Sequence, residues 1–349
     1  MSKQEKIIHP DVELTLIEDT LAQVSRTGLS IPPIWVANFL VALKSKPLII
    51  LAGPPESAKE ALVEGFGNVL TGNDSYRYQT MMGHPWWATK TRDIATYTRT
   101  QSQFNTFKLE ILIEEAGLPE NRDRFFIAEL TKISPGELQE YFSEMAFQLK
   151  HGRLMRLPTS HFMEPILFPS NLSIVGTMDT VKFNWLDPDL LSQATIIDCT
   201  PVKSASVPRL GELYRDPDRE KILMRSSIRN PQRAFRKMFN ILRRFPYALL
   251  PLLRVKQVLQ KFRSKYLGNP LFEGIVYMAN SWSYTDRGLF NEDPRKNLQI
   301  ALDLAITQSL LLPYSEKIAG SESMQIKLHK VLDDQFPTAN AYINSLNPV

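Results

Sequence analysis

The 349 residues carry 43% apolar and 22% charged side chains, proportions that exclude a disordered or fibrous chain and fit one with a packed core. A single cysteine, Cys199, excludes an internal disulfide, and no apolar run approaches the ~18 residues needed to cross a bilayer. The net charge of +4 is unevenly spread: residues 221–272 hold thirteen Lys or Arg and no Asp or Glu, which leaves −9 on the remainder.

In chain order, residues 1–30 read as a short N-terminal extension with one amphipathic pattern (Val12, Leu14, Leu16, Ile17, Leu21, Val24) that ends near Gly28. Trp35 to Leu43 has helical spacing, with Val36, Phe39, Leu40 and Leu43 in register. Pro47 separates it from the apolar run Leu48–Leu51, which reads as a buried strand. Gly53-Pro54-Pro55-Glu56-Ser57-Ala58-Lys59-Glu60 follows, and helical periodicity resumes to Val69 through Leu62 and Phe66. Strand, glycine loop and helix form the setting that a phosphate-binding loop requires.

Further apolar runs at 124–130, 172–179 and 194–198 end in polar residues. Short buried strands separated by helical stretches predict a parallel sheet covered by helices on both faces. In such sheets the functional groups collect at the carboxyl ends of the strands, where Gly53, Glu129 and Asp179 fall. From about residue 205, Pro208, Pro217 and Pro231 punctuate a linker, and the rest reads as helical, with Asn297 to Pro313 as one helix. The expected division is an extension over 1–30, an α/β P-loop domain over 31–205 and a helical domain over 206–349.

The order of these elements resembles an AAA+ ATPase domain, and more narrowly the nucleotide-hydrolysing, McrB-like subunit of McrBC-type restriction systems. The resemblance rests on Lys46–Gly53, Glu140-Tyr141-Phe142, Ile174–Thr180, Leu186–Leu191, Ala301–Leu304, Leu312-Pro313 and Gly320-Ser321-Glu322, which run in family order over about residues 30 to 325. It implies a P-loop parallel sheet sandwiched by helices and followed by an α-helical lid. It also implies a nucleotide site built from Gly53, Pro54, Pro55, Ser57, Lys59 and Glu60, taking ATP or GTP with Mg²⁺.

The departures from the family are as informative. Glu56 and Ala58 stand where glycines let backbone amides wrap phosphates, so a loop that keeps its shape carries ~1 kcal/mol of strain at each. Glu60 replaces the Mg²⁺-binding hydroxyl; unit charges ~4 Å apart repel by roughly 4 kcal/mol at an effective dielectric of 20. Ala128 replaces a Mg²⁺-holding carboxylate, leaving Glu129 at the water-activating position, and Asp179 replaces the sensor Asn. Ser192-Gln193 replaces the pair that supplies a trans-acting Arg, and the Leu271–Met278 segment holds no Arg for a second sensor.

These changes imply a degenerate, hydrolysis-deficient subunit acting structurally or as a regulator in a homo- or hetero-oligomer, with an intact AAA+ paralogue or an effector such as a nuclease. The alternatives are an active ATP- or GTP-hydrolysing motor with Glu60 as an atypical metal ligand, and a nucleic-acid-binding module on an AAA+ scaffold. Taken without the family, Lys59 reads as an ordinary helix lysine, Glu129 as a partner for Lys132, and Asp179 as a cap.

Arg225, Arg229, Arg233 and Lys237 recur every four residues, with Arg236, Arg243 and Arg244 close by, although Pro231 interrupts the run. Phe235, Met238, Phe239, Leu242 and Phe245 supply an apolar face behind them. So many cations without an acid suit either nucleic acid or the acidic surface of a neighbouring subunit. Trp86-Trp87 reads as packing before base stacking. His9, His84, His151, His161 and His329 show no metal-ligand spacing, so no metal site is expected. With no basic-then-apolar leader, the expected location is the cytoplasm, away from membranes.

Overall fold

A computed structural model describes residues 11–72, 74–82, 108–133, 168–179, 193–199, 218–260 and 269–346, the Glu56 and Met82 side chains excepted. Five strands, β1 (Leu48–Ala52), β2 (Tyr78–Met82), β3 (Phe126–Thr131), β4 (Leu172–Met178) and β5 (Ala194–Asp198), form one parallel sheet in the order β2-β3-β4-β1-β5. β1 lies between β4 and β5, with Leu48 opposite both Ile174 and Ala194, and all five of its residues are buried. A strand covered on both faces needs an unbroken apolar run, which Leu-Ile-Ile-Leu-Ala supplies. The fold is therefore α/β, a parallel sheet flanked by helices.

Two helices precede β1. α1 (Val12–Arg26) starts where the Asp11 carboxylate accepts from the amides of Glu13 and Leu14, which removes two of the orphan donors of a helix start. The segment expected as an extension thus contains a helix that packs on both the next helix, α2 (Pro33–Ser45), and α3 (Lys59–Thr71). α2 is buried from Trp35 to Ser45, so it is an internal helix rather than an amphipathic surface one. Phe39 on α2 meets Phe66 on α3 edge-to-face at 5.1 Å.

After β5 the described chain is helical: α4 (Arg219–Ser226), α5 (Pro231–Leu242), α6 (Leu250–Gln260), α7 (Pro270–Asn280), α8 (Pro294–Ile306), α9 (Ser315–Ala319), α10 (Glu322–Leu332) and α11 (Pro337–Ser345). α7 is buried from Gly274 to Asn280 and packs on α2, α5 and α8, so it joins the helical region to the sheet layer. The helix expected from Asn297 to Pro313 ends sooner, at Ile306. It passes through a π turn (Thr307–Leu311) into a 3₁₀ turn (Leu312–Tyr314), where Pro313 has no N–H to continue an α ladder.

Charge also ties the two regions together. Lys44, fully buried on α2, contacts Glu13 of α1 at 2.6 Å and donates to the carbonyls of Asn280 and Trp282 at 3.0 and 3.1 Å. Glu13 accepts in addition from the Ser226 hydroxyl and the Tyr284 amide, so the carboxylate is held from three other segments of the chain. α4 lies beyond the boundary expected near residue 206, yet Arg219 contacts Asp19 at 2.6 Å and Glu220 accepts from Arg77 and from the Phe125 amide. Removing one member of a buried pair strands the other charge, at about 3–5 kcal/mol. Lys44→Met is therefore expected to lower unfolding free energy by about 3–5 kcal/mol in urea titrations, and Glu13→Leu added to it to restore part of that loss.

Candidate functional site

The loop after β1 runs from the carboxyl end of that strand into the start of α3. Gly53 is required there: a Cβ on it would lie 2.8 Å from the Cys199 carbonyl oxygen, because Cys199 at the end of β5 hydrogen-bonds to Ala52. Pro54 is extended, Pro55–Ser57 form one 3₁₀ turn, and Ala58 adopts the left-handed conformation at φ +56° before α3 begins at Lys59. Ala58 thus bears the strain its position implied, about 1 kcal/mol for a residue with a Cβ. Glu56 carries none of this kind, since a 3₁₀ turn is open to any residue.

Lys59 is fully buried, and its ammonium is engaged within the chain. Nζ donates to the Pro54 carbonyl at 3.1 Å and to Asp179 Oδ1 at 2.7 Å, and it lies 3.7 Å from Glu60 Oε1. Asp179 follows β4, and β4 pairs with β1, so strand order delivers this carboxylate to the loop. Glu60 accepts from the Thr177 hydroxyl at 3.1 Å; that oxygen also accepts from the Lys132 amide at 2.9 Å, just beyond β3. One lysine is thus set against two carboxylates, and the site opposes further negative charge.

Glu129 on β3 is buried and does not meet Lys132. Its Oε2 accepts from the Tyr78 hydroxyl at 2.5 Å and from Thr80 at 3.3 Å, both on β2, while Oε1 has no partner. Burial pushes its pKa up to about 7; the two hydroxyl bonds oppose the rise and the charges of Glu60 and Glu64 add to it. Ala128 beside it is buried and presents no ligand. Among the described residues no group of three or more His, Cys, Asp or Glu is placed to hold a metal ion.

Several of the expected site residues thus come together and several do not. Gly53, Pro54, Lys59, Glu60 and Asp179 form one cluster, and Glu129 lies on a neighbouring strand, coupled to it through the field of Glu60. Asp179 is the counterion of Lys59, and the segment it would cap lies outside the described residues. Nothing in the sequence marks Tyr78, Thr80 or Thr177 as part of the site, because β2 has no apolar run and a hydroxyl's role depends on its neighbours. Glu140-Tyr141-Phe142, Trp86-Trp87, Leu186–Leu191 and Ser192 lie outside the described residues.

The basic segment does not form a single stripe. Pro231 opens α5, with the Asn230 side chain as its cap, so Arg225 sits on a different helix from Arg233. Arg229 turns inward to the carbonyls of Ser170 and Leu43 at 3.2 and 3.4 Å, and burial pulls its pKa down to about 10. Lys237 donates to the carbonyls of Trp282 and Ser283, and burial, with Lys44 nearby, pulls its pKa down to about 8. Arg225, Arg233, Arg236, Arg243 and Arg244 are exposed. Of the apolar face, Met238 is buried while Phe235 and Phe239 are exposed.

No protein-family model matches this chain, and no curated protein matches its sequence. The arrangement of strand, loop and helix is compatible with a P-loop-like fold. No helix among the described residues is long and apolar enough to cross a membrane.

Two outcomes follow for stability. Ala58→Gly relieves the left-handed strain and is expected to raise the unfolding free energy by about 0.5–1 kcal/mol, read as a higher thermal midpoint; a lower midpoint contradicts the loop geometry. Glu129 has a folded pKa above its ordinary value of 4.5, so its neutral form favours folding. Its contribution is present below about 4.5 and is lost as pH rises through about 7. Glu129→Gln is therefore expected to gain on the order of 2 kcal/mol over the parent at pH 8 and nothing at pH 4, in parallel denaturant titrations.

Proposed function

We propose that this chain is a degenerate AAA+-type subunit, deficient in hydrolysis, that serves as a structural or regulatory part of an oligomeric assembly. On this reading the helical region after the sheet corresponds to the family's lid. The observation that carries the reading is the buried contact of Lys59 with Asp179 at 2.7 Å, backed by the Pro54 carbonyl. The cation that would meet a phosphate already has its anion. A triphosphate would have to displace Asp179 and then lie beside both that carboxylate and Glu60. At about 4 Å and an effective dielectric of 20, each such repulsion is roughly 4 kcal/mol, about three decades of affinity.

ATP or GTP with Mg²⁺ therefore does not fit the residues present. Glu60 holds the Thr177 hydroxyl and faces Lys59 in the position where the family has a metal-binding hydroxyl. The competing reading, an active hydrolase, draws on Glu129, whose pKa near 7 would suit a general base. The burial that raises this pKa also encloses the carboxyl, and Tyr78 occupies one of its oxygens. Partners consistent with the degenerate reading are a second copy, an intact paralogue or an effector such as a nuclease.

Equilibrium titration with labelled ATP and GTP in Mg²⁺ tests this. The parent is expected to show no saturable binding up to about millimolar nucleotide, and Glu60→Thr combined with Asp179→Asn to gain about 100-fold or more. Micromolar binding by the parent, with turnover lost in Glu129→Gln, would overturn the reading.

A further inference from the structure

We propose that the turn between α5 and α6 is a binding site for single-stranded nucleic acid, with a cavity beside Tyr247 receiving an unstacked base and Arg244 and Arg295 holding the adjoining phosphates. This inference does not depend on whether the glycine loop binds nucleotide.

The cavity has a volume of about 360 Å³. Its floor is apolar, from the buried Leu298 and Phe336; Phe245 forms a wall, and Arg244, Tyr247 and Arg295 stand at the rim. The size lies at the lower end of the ~300–1,000 Å³ typical of small-ligand sites, which suits one base with its sugar. The Arg295 guanidinium lies over the Phe245 ring, 5.8 Å from its centroid, so one cation is already aligned with an aromatic face.

Tyr247 is 76% exposed and Phe239, on α5, is 63% exposed. Rings left in solvent beside arginines are the two components of a single-strand surface, where bases stack on aromatic faces and cations track the backbone. Arg233, Arg236, Arg243 and Arg254 are exposed on the same two helices and the turn between them, inside the stretch that contains no acid. Among the carboxylates on the neighbouring turns, Glu292 pairs with Arg287 at 3.1 Å, Asp293 caps the start of α8, Asp333 accepts from the Gln335 amide at 2.9 Å and Asp334 is exposed, so the arginines outnumber the acids around the cavity.

Other polyanions fit less well. An anionic membrane would take up an amphipathic helix by its apolar face, but α5 packs against α7 with Ala234 and Met238 buried. Arginine and aromatic side chains also occur together at protein interfaces, so an acidic peptide is the competing occupant that the test includes. A duplex keeps its bases stacked and offers no unstacked base to the concavity.

Fluorescence anisotropy on the full chain would use an oligothymidylate of about 15 nucleotides, a duplex of equal length and a polyglutamate peptide. The single strand is expected to bind at least tenfold more tightly than the duplex or peptide, with affinity falling steeply as salt rises. Tyr247→Ala is expected to weaken binding by about 5- to 100-fold and Tyr247→Phe to leave it unchanged. Arg244→Ala with Arg295→Ala is expected to reduce the slope of log affinity against log salt by about 1.4, the value for two phosphates of a single strand. Equal affinity for duplex or peptide, or no change in Tyr247→Ala, overturns the proposal. Photocrosslinking of the parent to 4-thiothymidine strands checks it without any variant: adducts are expected on the 243–249 turn, and adducts confined elsewhere overturn it.

Discussion

A lysine sealed inside a protein must be given an anion or lose its charge. The carboxyl end of this sheet is organised around how Lys59 meets that demand. β1 ends at Gly53, the loop turns through a strained Ala58, and α3 begins with Lys59 pointing back to the Pro54 carbonyl. β4 lies beside β1, so the residue that follows it, Asp179, reaches the ammonium directly. Glu60 and Thr177 complete the closure from α3 and β4. Phosphate is the anion such a loop usually serves; here two carboxylates of the same chain take that place.

A second sealed lysine fixes the rest of the chain. Lys44 draws together α1 through Glu13 and the segment after α7 through the carbonyls of Asn280 and Trp282. With Arg219–Asp19 and Arg77–Glu220, it stitches the first helix and the helical region onto the sheet layer by buried charge. Pairs of this kind add little net stability over apolar packing but are costly to break from one side.

Much of this was legible in the sequence, and the exceptions have physical reasons. β1, β3, β4 and β5 announce themselves as apolar runs because strands covered on both faces must be apolar throughout. β2 was not seen: Tyr-Gln-Thr-Met-Met mixes polar and apolar residues at the sheet's edge. Position alone marked the left-handed strain at Ala58. It could not reveal the counterion of Lys59, which lies 120 residues away and is brought close only by the β1–β4 pairing. The interruption at Pro231 was visible in the sequence and is the start of a new helix, but nothing in the four-residue spacing marked Arg229 as the one that turns inward.

The central claim is that Asp179, rather than a bound phosphate, neutralises Lys59 in the resting protein. A double-mutant cycle on unfolding free energy, Lys59→Met against Asp179→Asn in phosphate-free buffer, tests it most directly. Asp179 is partly exposed, so its pairing is worth less than a sealed one. The account predicts a coupling of about 1–2 kcal/mol between the two substitutions. Additive effects, with Asp179→Asn leaving stability unchanged, would contradict it.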